Sequence, residues 1–346
     1  MGKIQRHFYG SEKDFFVGYV VSTSGLGAWD GRDGHQAALV RLDRFCQYVM
    51  HTLRGRVQLT LLSDHGHNLV NSRRIPLSEM LRRFGYRVTK RLSGPSDVVV
   101  PEFGVVTCAA IYTQRAPDVA RDVLGIDGIE HTAYVDEVGD ALVKREGAEP
   151  HHVGDGLHRL VCRVQSRDGL ARIRARLEET TLPEGSHGER LRPASLRYDC
   201  ERGDPFELSS IIEDLRGRGL VDADGFIVDR ALFEATRAHK YPDAVYRIWR
   251  SFHGLMIQTP DVMVSVQDGW HCGSPFMSWL CDLQAAHGNL GQLSSYGFVM
   301  TTMGELPDIV RVPFSSDRME KGSVVSGVSS AGSLAPSLGD GIVDQH

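Results

Sequence analysis

In the first fifth of the chain, an apolar run is followed closely by two side chains that can bind a metal ion. The run spans Val57 to Leu62, and Ser63-Asp64-His65-Gly66 comes after it. A strand interior does not accommodate this pair, because burying an unpaired carboxylate is energetically costly. Two interpretations are open. One is a surface turn, in which Asp, His and Gly are ordinary neighbours. The other is a divalent-metal half-site at the carboxyl end of a central strand.

The elements around this pair predict that two loops meet at one edge of a sheet. Phe15 to Ser22 is a short apolar run that predicts a buried strand. Gln36 to Leu53 repeats apolar residues at steps of three and four, which predicts a helix with one apolar face. With Val57 to Leu62 these segments form a βαβ unit, whose two strands we expect to be parallel neighbours. The loops at 23–35 and 63–68 would then share a site.

The remaining pattern of strands and helices predicts an α/β fold with a mainly parallel central sheet sandwiched by helices and an inserted α+β cap. Arg167 to Thr181 is charged, and we predict a helix there. The expected organisation is a core α/β domain at 1–136, a partly helical cap or insertion at 137–260, a return to the core sheet at 261–314, and a disordered tail at 315–346.

Composition narrows the class of protein. The chain of 346 residues carries a formal net charge of -5, which argues against a nucleic-acid partner. No apolar run approaches the ~20 residues that cross a bilayer, so we expect no membrane partner. The six cysteines are scattered without a C-x-x-C pair, which favours reduced thiols and a cytoplasmic location. Oligomerisation stays open.

Two motifs, far apart in the sequence, together resemble one family. Ser63-Asp64-His65-Gly66, followed downstream by Ala286-His287-Gly288 and then a strand, resembles the alkaline phosphatase superfamily. The closest similarity is to its type I phosphodiesterase/nucleotide pyrophosphatase and sulfatase-like branch. The resemblance covers about residues 13 to 312.

The resemblance implies a metal-dependent hydrolase of phosphoric or sulfuric esters. Asp64 and His65 correspond to ligands of the metal that activates the nucleophile, and His287 corresponds to a ligand of the other metal. Such ligands suit zinc, manganese or a similar divalent ion. The partner of an active enzyme would be a small-molecule phosphate or sulfate ester.

The same resemblance also marks positions where expected groups are missing. The loop that should supply an Asp and a His four residues later aligns Ser24 and Ala28 with those positions. Asp30, Asp33 and His35 are candidate substitute ligands, although their spacings differ from the pattern. We find no counterpart of the nucleophile, and we expect the chain to be inactive or impaired. The alternatives are a non-catalytic binding or regulatory protein and a fragment of a longer active hydrolase.

Other side chains are candidates for supporting roles. His67 does not correspond to a ligand and is predicted to lie outside the ligand set or at the surface. Arg73 and Arg74 are candidate contacts for an anionic substrate, with a solvated surface as the alternative. Trp270 is a candidate pocket residue, with simple packing as the alternative.

Overall fold

A computed structural model of the protein describes most of the chain, namely residues 2–11, 14–102, 104–136, 161–177, 193–253, 258–280 and 282–311. The helices within these ranges are α1 (Gly2–Tyr9), α2 (Ser22–Thr52), α3 (Leu77–Arg83), α4 (Ala116–Val123), α5 (Ser209–Gly217), α6 (Asp229–Thr236), α7 (Ala244–Phe252), α8 (Pro275–Leu280) and α9 (Gln292–Ser295).

The strands within the same ranges are β1 (Thr60–Leu62), β2 (Arg73–Arg74), β3 (Arg87–Val88), β4 (Asp97–Val99), β5 (Val105–Val106), β6 (Cys108–Thr113), β7 (Ile129–Asp136), β8 (Val161–Gln165), β9 (Leu170–Leu177), β10 (Pro193–Arg202), β11 (Ile227–Val228), β12 (Val262–Val266), β13 (Trp270–Gly273) and β14 (Val299–Thr301).

A nine-stranded sheet with the order β11-β10-β9-β8-β7-β12-β6-β4-β3 forms the centre of the described structure. It has a hydrophobic core on each face. Successive residues of a strand point to opposite faces, and the neighbours Ala133 and Tyr134 of β7 belong to different buried clusters. One cluster includes residues of α5, α6 and α7, and the other includes residues of α3 and α4.

The α/β class is confirmed, but a mainly parallel sheet is not. Of the eight strand pairs described in this sheet, seven are antiparallel, and only β3 with β4 is parallel. A tight turn can join only antiparallel neighbours, and one such turn joins β8 to β9. In this turn, Ser166 and Gly169 exchange backbone hydrogen bonds.

The prediction of a helix at Arg167 to Thr181 is wrong, because β9 occupies Leu170 to Leu177. Ala171, Ile173 and Ala175 are buried and alternate with arginines. This period of two is the signature of a strand with one buried face.

The segment predicted as an inserted cap contributes β8, β9, β10 and β11 to the same sheet as β6 and β7. Part of residues 137–260 therefore continues the central sheet. The predicted disordered tail at 315–346 lies outside the described residues.

The N-terminal region does not form the expected βαβ unit. Phe15 to Ser22 is not a buried strand: Phe15 and Tyr19 are 68% and 77% exposed, and α2 begins at Ser22. The strand β1 pairs antiparallel with β14, in a separate two-stranded sheet. Within the described ranges, none of the helices is both long enough and apolar enough to span a membrane.

Candidate functional site

Four histidines from three distant segments meet beside the two-stranded sheet. His35 lies on α2, His65 and His67 follow β1, and His287 precedes α9. The ring centroids are 4.4 Å apart for His65 and His287, 4.7 Å for His67 and His287, and 4.7 Å for His35 and His67. We call these four residues the histidine cluster.

The loop that carries His65 and His67 rests on the segment after α9. Ser63 N donates to Phe298 O at 2.9 Å, and Phe298 N donates to Ser63 Oγ at 2.9 Å. A Cβ at Gly66 would lie 2.4 Å from the carbonyl oxygen of Tyr296. Only glycine permits this close approach of two backbones, so Gly66 fixes the path of the loop between the two histidines.

One carboxylate joins this loop to the segment that carries His287. Asp268 Oδ1 accepts from Asn68 Nδ2 at 2.9 Å and from Asn289 Nδ2 at 3.0 Å. Both asparagines are buried, and Asn68 Oδ1 accepts from Ala286 N at 2.9 Å. We call Asn68, Asp268 and Asn289 the amide clamp. Because Asp268 lies two residues after the end of β12, the clamp ties both loops to the central sheet.

His35 reaches the cluster because α2 is broken. Asp30 and Gly31 have non-helical backbone angles, with Gly31 at φ 55°. The two parts of α2 fold against each other there, and a Cβ at Gly27 would lie 2.1 Å from His35 Nε2. The absence of a side chain at Gly27 therefore makes room for the imidazole of His35.

The structure brings together some of the predicted site residues and separates others. Asp64, His65 and His287 lie together, and of the three candidate substitute ligands His35 joins them. Asp30 and Asp33 are exposed, and the structure shows no contact between them and the cluster, because the break in α2 turns only His35 inward.

His67, for which the sequence predicts a place outside the ligand set or at the surface, is half-buried in the middle of the cluster. Its Nδ1 is 2.9 Å from His35 Nε2, and its ring is parallel to that of His287. Ser24 Oγ, at a position where the resemblance expects an Asp ligand, lies 3.4 Å from His67 Nε2. The pattern His65-Gly66-His67 is the sequence signal for this role, because the turn at Gly66 keeps both imidazoles on one side.

Burial and the neighbouring imidazoles favour the neutral forms of His67 and His287 near pH 7. Burial, followed by the neighbouring histidines, lowers the pKa of His67 to about 3. Burial and His65 lower the pKa of His287 to about 4. Neutral imidazole is the form that binds metal ions. Asp64 is the carboxylate of the site, with Oδ2 at 3.4 Å from His65 Nε2 and a side chain that is 58% exposed.

The donor types suit a divalent metal, but their arrangement does not complete a ligand set. Imidazole and carboxylate are the usual ligands of zinc and also suit manganese. Within the described ranges, however, no three His, Cys, Asp or Glu side chains are placed so that they could hold a metal ion. The rings of His67 and His287 stack face to face at an interplanar angle of 0°, so their nitrogens do not converge on a common point. Metal binding therefore requires rotation of these side chains.

No protein-family model, no curated protein and no solved structure matches this chain. The chemistry of the site must therefore be argued from its own side chains.

Proposed function

We propose that the histidine cluster and Asp64 form the metal-binding part of a phosphoric or sulfuric ester hydrolase site, in a chain that resembles the alkaline phosphatase superfamily. One observation carries the proposal: Asp64, His65 and His287, which the resemblance assigns as ligands, lie together although more than 200 residues separate His287 from the other two in the sequence. A random surface turn would not bring a third predicted ligand to the same place.

The residues of the chain would bind and orient the ion. Asp64 would supply the negative charge, while the imidazoles of His65 and His287 would supply nitrogen donors. His67 is a further donor that stacks on His287, and His35 in turn contacts His67. A bound zinc or manganese ion would act as a Lewis acid that polarises the ester oxygens.

We expect impaired turnover in this chain. The resemblance assigns Asp and His ligands to positions that hold Ser24 and Ala28. The hydroxyl of Ser24 faces His67, and a serine hydroxyl is a poor ligand for zinc compared with a carboxylate. This substitution also supports a second candidate function, in which the chain binds one metal or an anionic ester without hydrolysing it.

The direct test is a zinc titration of the metal-stripped protein by calorimetry, with metal content measured by elemental analysis. We expect His65→Ala and His287→Ala to weaken zinc binding at least about tenfold. His51→Ala is the matched control, because His51 is exposed near the end of α2 and should leave binding unchanged. Equal affinity in the wild type and both cluster variants would contradict the proposal.

Hydrolysis separates the two candidate functions. The zinc- or manganese-loaded protein would be assayed with p-nitrophenyl phosphate, bis-p-nitrophenyl phosphate and p-nitrophenyl sulfate. Slow turnover that is lost in Asp64→Ala supports the hydrolase. Metal binding that depends on the cluster, with no turnover of any of the three esters, supports the binding protein.

A further inference from the structure

A second serine–histidine arrangement lies between β2 and β13, and it shares no residue with the histidine cluster. Ser72 Oγ is 3.0 Å from His271 Nδ1, and His271 Nε2 is 2.9 Å from Ser278 Oγ. Ser278 Oγ is in turn 3.1 Å from the carbonyl oxygen of Ser274. A hydroxyl, an imidazole and a group that orients the imidazole are the components of an activated serine nucleophile.

The last hydrogen bond determines the direction of the others. The carbonyl of Ser274 can only accept, so the hydroxyl of Ser278 donates to it. Ser278 Oγ then accepts from Nε2–H of His271, which leaves Nδ1 without a proton. The lone pair of Nδ1 therefore faces the hydroxyl of Ser72, as a general base requires. Burial lowers the pKa of His271 to about 4, which keeps the imidazole neutral near pH 7.

Backbone pairing holds the nucleophile and the base in position. The strands β2 and β13 are parallel neighbours, with Arg74 opposite His271. Ser72 N donates to Leu283 O at 3.0 Å, and Ile75 N donates to His271 O at 2.8 Å. His271 itself is only 2% exposed, so its ring has little freedom to turn.

Ser72 also lines an open cavity of about 460 Å³, which is large enough for a small organic molecule. Arg73 and Trp270 lie at the same cavity, and the guanidinium of Arg73 is 5.2 Å from the centre of the indole ring. No carboxylate of the described residues forms an ion pair with Arg73, whose charge is therefore available to an anionic group. The lining also includes Asp282.

We propose that Ser72 is the nucleophile of a second catalytic site, with His271 as its base and Ser278 as a positioning residue, and that the site takes small carboxylic esters with a negatively charged group. Ser72 Oγ attacks the ester carbonyl while its proton passes to His271 Nδ1. The C–O bond to the alcohol then breaks, and His271 returns the proton to the departing alkoxide. Water, deprotonated by His271, hydrolyses the acyl-serine and regenerates the hydroxyl.

A fluorophosphonate probe tests this assignment on the full chain, because it forms a stable phosphorus–oxygen bond with an activated serine as fluoride leaves. Peptide mass spectrometry should locate the label on Ser72. We expect no label at this peptide in Ser72→Ala and a labelling rate about 100-fold lower in His271→Gln. Ser78→Ala is the matched control, because Ser78 is another half-buried serine with no histidine contact in the structure. Circular dichroism and thermal unfolding check that each variant is folded.

The positioning role of Ser278 has its own readout. Ser278→Ala should slow labelling of Ser72, and Ser278→Thr, which keeps a hydroxyl, should restore it. A variant that only loosened the fold would not be rescued in this way. Absence of label on Ser72, label at Ser24 beside His67 instead, or an unchanged labelling rate in His271→Gln would overturn the proposal. None of these outcomes bears on zinc binding by the histidine cluster.

Discussion

The central sheet and the N-terminal layer, which we define as residues 2–11 and 14–52, bury their apolar side chains to very different degrees. In the sheet, Ile111 and Leu196 are fully buried, at 0% exposure. In the N-terminal layer, Phe15, Val17 and Tyr19 are 68%, 71% and 77% exposed. Because burial of apolar surface is the main favourable term in folding, we expect the sheet to supply most of the stability.

The histidine cluster lies where these two regions meet. The amide clamp ties the loops of His67 and His287 to the end of β12. His35, in contrast, belongs to α2 of the N-terminal layer. Substitutions in α2 that displace His35 should therefore leave the clamped loops of His67 and His287 in place.

The largest effect is expected in the sheet. Ile111→Ala removes a fully buried side chain from β6 and should lower the free energy of unfolding by about 2–5 kcal/mol. Urea denaturation measures this change. Leu39→Ala on α2 is the control, because Leu39 is 44% exposed and its truncation should cost much less. An equal loss in the free energy of unfolding for the two variants would show that the sheet and the N-terminal layer contribute equally to stability.

Acid should weaken the structure around His253, the residue that follows α7. His253 is 3% exposed and stacks on Trp249 at 4.3 Å, and burial lowers its pKa to about 4. An unfolded histidine has a pKa of about 6.5, so between these values the unfolded state binds the proton and the folded state does not. The free energy of unfolding should therefore fall as the pH drops from about 6.5 to about 4, by up to about 3 kcal/mol from this group.

Urea denaturation at a series of pH values measures that slope. His253→Gln should reduce it, whereas His51→Gln, at an exposed position, should not. An unchanged slope in His253→Gln would assign the acid sensitivity to other buried histidines.

The amide clamp should contribute to both stability and the site. Asp268→Ala leaves the side-chain amides of Asn68 and Asn289 without their shared acceptor, which should cost about 2 kcal/mol. The same variant should weaken zinc binding, since both histidine loops lose their anchor. Asp282→Ala is the control at an exposed position outside the clamp. A loss of stability with zinc affinity unchanged would show that the loops keep their positions without the clamp.

A pair of glycines in α2 tests the contribution of the N-terminal layer. A Cβ at Gly27 would meet His35 Nε2 at 2.1 Å, whereas a Cβ at Gly25 would meet nothing within 4 Å. Gly27→Ala should displace His35 and weaken zinc binding about tenfold. Gly25→Ala should leave zinc binding unchanged, although its intrinsic effect on helix propensity is the same as that of Gly27→Ala. Identical zinc titrations of Gly27→Ala and Gly25→Ala would show that His35 does not contribute to zinc binding.

The two regions also differ in how far their structure could be predicted from sequence. Apolar residues and arginines alternate in the sequence of β9, but the high charge of the segment favours a helix when it is considered alone. The antiparallel sheet depends on which strands pair, and apolar runs alone do not determine pairing. The segment from Phe15 to Ser22 is apolar, yet apolar character predicts burial only where a partner surface exists.

The candidate site also contains residues that could be predicted from the sequence and residues that could not. Asp64, His65 and His287 could be named from their motifs, because each motif is local to one segment. The roles of His35 and His67 depend on the break at Gly31 and on the close approach at Gly27, which are tertiary features. Spacing along the chain does not reveal them.

The smallest effect on stability is expected at the exposed aromatics of the N-terminal layer. Tyr19→Ser should change the free energy of unfolding by less than about 0.5 kcal/mol, because the side chain is 77% exposed and loses little packing. Tyr19 could also be buried in solution by contact with a second copy of the chain. If it is not, sedimentation at increasing protein concentration should give the same mass for Tyr19→Ser and the wild type. A cost above about 2 kcal/mol would mean that the segment is buried in solution. The division between a packed sheet and an exposed N-terminal layer would then be wrong, and His35 would be held as firmly as the histidines of the amide-clamped loops.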